Sequence, residues 1–122
     1  MQRKVFVFFW FLGGLLLGLT IGFRLSQISF QGISLSYVGS GQEYFHQKDV
    51  SRAIAAFNKA LAVDPDSFIA HISLADAYYA GNNFELALEE YETALQNEAK
   101  NEKKAPYIEA RIAHLKSLLN PK

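Results

Sequence analysis

Residues 34–101 carry one pattern written twice. A shift of 34 residues lays Tyr44 on Tyr78, Ala53 on Ala87, Ile54 on Leu88, Phe57 on Tyr91, Ala60 on Ala94 and Leu61 on Leu95. Val50, Ala53, Ile54, Phe57, Ala60 and Leu61 fall at helical spacing, as do Phe84, Ala87, Leu88, Tyr91, Ala94 and Leu95. A unit of this length holds a pair of short helices and cannot bury its apolar side alone, so the copies must stack.

Local signals divide each copy into a helical hairpin. Asp49 and Asn83 stand where a helix N-cap is wanted, and Gly81 is suited to end the helix before Asn82 and Asn83. Small residues where the two helices meet, Gly41 with Ala53 and Ala75 with Ala87, allow close approach. The aromatic residues at 44, 57, 78 and 91 are expected to fill the spaces between hairpins as core. Pro106 suits the first turn of a last helix, in which Ile108, Ile112, Leu115 and Leu119 form one stripe able to cover the second copy. Residues 106–119 read as a capping helix, with the start of a degenerate third repeat as the alternative.

The two copies resemble the tetratricopeptide repeat family. In residues 34–67, Tyr37 stands at the tryptophan position, Gly41 and Tyr44 follow in the first helix, Ala53, Phe57 and Ala60 lie in the second, and Pro65 closes the unit. Ser40 departs where leucine is usual. In residues 68–101 the pattern reads His71 for the tryptophan, then Leu74, Ala75 for the glycine, Tyr78, Ala87, Tyr91 and Ala94, with Ala99 in place of the closing proline. The resemblance implies a concave face made by the first helix of each hairpin, where a protein partner binds. Carried over position by position, that face holds Leu35, Val38, Gln42, Phe45 and His46 from the first copy, and Ile69, Ile72, Asp76 and Tyr79 from the second. Arg111 joins them from the last helix. Some members of the family clamp the carboxylate end of chaperone tails with a lysine and asparagine pattern, from which Val38, Gln42 and Asp76 depart. A peptide segment or helix of a partner is expected instead, with Phe45 and Tyr79 as anchors and Gln42 and Asp76 setting its direction. Solvated first-helix surface is the plain alternative for these residues.

Ahead of the repeats, Val5 to Phe23 is an uninterrupted apolar block without charge. Its roughly 19 residues reach about 28 Å as a helix, the thickness of a bilayer's hydrocarbon core. A cleavable signal has a shorter apolar region and a small-x-small site, which residues 24–30 do not offer. The expectation is an uncleaved anchor, with the domain order 1–24 anchor, 25–33 connector, 34–101 repeats and 102–122 capping helix and tail. Arg3 and Lys4 before the block outweigh Arg24 behind it by one charge, which favours a cytoplasmic amino terminus with the repeats on the opposite side. Gly14, Gly18 and Gly22 recur every fourth residue on one face. They suit close pairing with another membrane helix, including a second copy, although glycine is common in such helices anyway.

Charge and chemistry narrow the function. Lysine plus arginine and aspartate plus glutamate stand at 12 each, but Arg3, Lys4 and Arg24 flank the apolar block. The remainder is net acidic and lacks the basic stripe that a nucleic-acid backbone requires. Without cysteine there is no thiolate chemistry. His46, His71 and His114 lie apart with no metal-ligand spacing, and Glu89, Glu90 and Glu92 read as a solvated run. No catalytic residue, metal or cofactor is therefore expected. The chain reads as all-α: a transmembrane helix, two helical hairpins and a capping helix. Its expected role is a membrane-anchored scaffold or assembly factor that binds a subunit of a membrane complex, or else a permanent accessory subunit. In layout it is similar to the anchored repeat proteins that assist photosystem I assembly in cyanobacteria and plastids, and to those of bacterial envelope biogenesis.

Overall fold

A computed structural model describes residues 30–97 and 105–121. The apolar block from Val5 to Phe23, its glycine face and its flanking charges lie outside the described residues, as does Ala99. Among the described residues no helix is long and apolar enough to cross a membrane.

Among the described residues five helices follow one another: α1 over residues 30–46, α2 Val50–Val63, α3 Phe68–Ala80, α4 Phe84–Asn97 and α5 Ala105–Leu119. Residues 30–33, read from sequence as the end of the connector, are already part of α1. Each consecutive pair packs together. Helices α1 and α2 form the first hairpin, α3 and α4 the second, and α5 lies against α4.

The period of the sequence is also a period of backbone geometry. In the turn after α1, Lys48 N donates to Phe45 O at 3.0 Å and Asp49 N to Tyr44 O at 2.9 Å. After α3, Asn82 N donates to Tyr79 O and Asn83 N to Tyr78 O at the same two distances, 3.0 and 2.9 Å. These paired bonds satisfy carbonyls that the helix end would otherwise leave open, in the pattern of a Schellman cap. Such a cap needs one left-handed residue, supplied by Lys48 (φ 61) and Asn82 (φ 59). Gly81 ends α3 as expected, standing at its C-cap with an ordinary φ of −83, and the left-handed conformation falls on the asparagine that follows. Asp49 caps α2 as expected, accepting from Arg52 N at 3.1 Å.

Two cores result. The first joins Val38 of α1, Ala53, Phe57 and Ala60 of α2, and Ala70, Leu74 and Ala77 of α3. The second joins Ala75 of α3, Ala87, Tyr91 and Ala94 of α4, and Ile108, Ile112 and Leu115 of α5. Helix α3 thus buries two sides, which is why its sequence shows no single apolar stripe. Tyr78 packs against both cores, while Tyr44 packs half-buried against the first. Phe57 and Tyr91 are the largest side chains enclosed completely, each contributing on the order of 2–3 kcal/mol of burial. The α5 stripe closes the second core, so residues 105–119 do cover the end of the second hairpin.

Candidate protein-binding groove

Helix α3 lies beside α1 through the first core, and α5 lies beside α3 through a set of polar and aromatic contacts. Tyr107 Oη donates to Asp76 Oδ1 at 3.2 Å, Tyr79 Oη sits 3.2 Å from His114 Nε2, and the Arg111 guanidinium lies 5.0 Å from the Tyr79 ring centre. The three helices α1, α3 and α5 therefore form a row, with α2 and α4 behind it. The open side of this row is the candidate groove.

One residue on each helix dominates that side. Leu35 of α1 is 52% exposed, Ile69 of α3 40% and Tyr107 of α5 45%. Leu35 and Ile69 are one period apart and so occupy equivalent places in the two hairpins. Gln42 and His46 continue the exposed side of α1.

The remaining residues expected on this face divide into three groups. Val38 does not line it: at 3% exposure it is a core residue, a member of the first core with side chains of α2 and α3. Phe45, Ile72 and Tyr79 are half-buried, Phe45 against the first core and the other two against the second, so much of each side chain is already spoken for within the fold. Asp76 is half-buried and engaged as an acceptor from both Tyr91 Oη and Tyr107 Oη. Burial, reinforced by Asp76, pushes the Tyr91 hydroxyl far above its ordinary pKa, so it stays a donor.

Arg111 is more constrained than its place on a last helix suggested. Its guanidinium lies over both the Tyr79 ring and, at 5.4 Å, the Tyr107 ring, and Nε donates to Tyr107 Oη at 3.1 Å. Each ring face is worth about 0.5–1 kcal/mol to such a cation at a partly exposed site. The pair fixes Arg111 at the edge of the groove. Tyr107 and His114 were not among the residues expected here. Their signal lay in the phase of α5: once Ile108, Ile112 and Leu115 face α4, Tyr107, Arg111, His114 and Leu118 share the adjoining flank.

The acidic run of α4 is not simply solvated. Glu90 Oε2 lies 2.6 Å from His71 Nδ1, and Glu92 Oε1 lies 2.7 Å from Lys116 Nζ of α5. His46, His71 and His114 stand on three different helices. Among the described residues no group of three or more His, Cys, Asp or Glu side chains is placed to hold a metal ion.

A family model described as tetratricopeptide repeat matches residues 39–102. No curated protein matches the chain. The matched segment is more than half of the 122 residues and spans both hairpins, and the turns repeat with the same period as the sequence. The chain belongs to the tetratricopeptide repeat family, whose stacked helical hairpins serve as protein-binding scaffolds.

Proposed function

We propose that the chain is a membrane-anchored protein-interaction module, a scaffold or assembly factor that holds a subunit of a membrane complex close to the bilayer. The observation that carries the reading is the apolar row Leu35, Ile69 and Tyr107 across the open side of three adjacent helices. A partner helix or peptide laid across the row would bury all three, while Gln42, His46 and Arg111 beside it would set direction. Anchorage is supported by the length and lack of charge of Val5 to Phe23, and orientation by the excess of Arg3 and Lys4 over Arg24. Since α1 is already formed at residue 30, few residues separate the apolar block from the repeats.

Site-specific crosslinking in native membranes tests the reading. A photoreactive group at position 35 or 69 should yield discrete products with a membrane-complex subunit, lost in an Ile69→Asp variant that stays folded. A group at Leu86, exposed on the second helix of its hairpin, should yield none of them. The reverse labelling pattern would place the binding surface on the outer helices and end the groove proposal. On native gels an assembly factor separates from the mature complex, whereas a permanent subunit migrates with it.

A further inference from the structure

His71 holds the place where the family usually has tryptophan, and its surroundings are unlike those of an apolar ring. The residue is 8% exposed, and both of its ring nitrogens face acceptors. Nδ1 lies 2.6 Å from Glu90 Oε2 on α4, and Nε2 lies 2.9 Å from the carbonyl oxygen of Pro65, in the turn that joins the two hairpins. A neutral imidazole has one N–H and can satisfy only one of these oxygens. The other nitrogen would then turn a lone pair toward an oxygen lone pair at hydrogen-bond distance. Only the imidazolium donates to both.

We propose that His71 is a proton-dependent fastener of the repeat stack: its charged ring ties α4 and the inter-hairpin turn to α3 together, and losing the proton releases one of the two ties. The charges that bear on the ring are acidic, Glu90 from α4 and Asp66 from the turn. The hydrogen bond to Glu90, stronger than the opposing effect of burial, holds the pKa above the ordinary 6.5, with further upward pushes from the Pro65 carbonyl and Asp66. The sign follows from linkage. A raised folded-state pKa gives stability that is complete below 6.5 and disappears as pH climbs through the folded value. The stack is thus tightest below pH 6.5 and loosens as pH rises through the raised folded value. Because α3 also carries Ile69 and Asp76, the setting of the middle helix in the groove is coupled to the same proton.

Ring nitrogen-15 spectra of the full-length chain in detergent micelles test this, with His71 identified as the signal missing from His71→Gln. The expected result is both nitrogens protonated at mildly acidic pH, with a titration midpoint above 6.5 that moves downward in Glu90→Gln. The melting temperature of the unaltered chain should also fall between mildly acidic and alkaline pH, by more than in Glu90→Gln. A midpoint at or below 6.5 in the unaltered chain would overturn the proposal, as would an unchanged midpoint in Glu90→Gln. The titration of the unaltered chain decides the first point even if His71→Gln does not fold.

Discussion

Gly41 of α1 and Phe57 of α2 meet so closely that a Cβ on residue 41 would stand 2.6 Å from Phe57 Cδ1 and 2.9 Å from Cζ. The ring is 1% exposed and enclosed by the first core, so it has no free space to swing into. Alanine at 41 gains roughly 1 kcal/mol in helix propensity but must push the ring aside, at roughly 1–3 kcal/mol. Overlap this deep places the cost in the upper part of that range. Gly41→Ala is expected to lower stability in urea or thermal unfolding, whereas Gly39→Ala, with no atom within 4 Å of the added carbon, should raise it. Equal responses at the two positions would refute the contact.

The two left-handed turn residues differ in how well they tolerate that conformation. Asparagine visits it readily, but Lys48 has no side-chain compensation for its φ of 61. Lys48→Gly is expected to stabilise the protein by about 0.5–1 kcal/mol, and Asn82→Gly to change it little. The check is the difference between the two melting temperatures; a larger gain at Asn82 would contradict the assignment.

Asp76 accepts a hydrogen bond from the hydroxyl of the fully buried Tyr91. Asp76→Ala should cost about 1–3 kcal/mol, because the hydroxyl is left unsatisfied in the core. Tyr91→Phe should recover part of that loss in the double variant, and a double-mutant cycle measures the recovery. Additive effects would show that the bond contributes nothing.

Core and groove residues should separate cleanly. Leu74→Ala and Ile108→Ala each remove a fully buried side chain and are expected to cost about 2–5 kcal/mol. Leu35→Ala and Ile69→Ala should stay within about 0.5 kcal/mol of the parent in stability, yet weaken partner crosslinking. Unfolding caused by the latter pair would move those residues into the core.

If Val5 to Phe23 spans a bilayer, alkaline carbonate should leave the full-length chain in the membrane pellet. Recovery of the intact chain in the wash would exclude the anchor.

The hairpins were legible in the sequence because stacking imposes the same burial on Phe57 and Tyr91, and on Ala53 and Ala87, one period apart. The stripe of α5 was legible for a related reason, since one apolar face has one place to go. Val38 was misplaced because the core it joins is assembled from three helices, and nothing adjacent in sequence records that assembly. Asp76 read as a groove residue and Glu90 as part of a solvated run for a similar reason: their partners Tyr107 and His71 come from other helices. Gly81 ends α3 at its C-cap, as its position in the sequence suggested, but the left-handed residue of the turn comes one position later, at Asn82.

The outward side of α5 carries Glu109, Ala110, Ala113 and Ser117, all exposed and none of them large and apolar. At the opposite end, α1 exposes Phe30, Ile33 and Tyr37 at helical spacing. The stack therefore has one adhesive terminus and one inert terminus. A head-to-tail contact between copies would set an apolar end against a polar one, so the two described ends do not complement each other as a growing fibre requires.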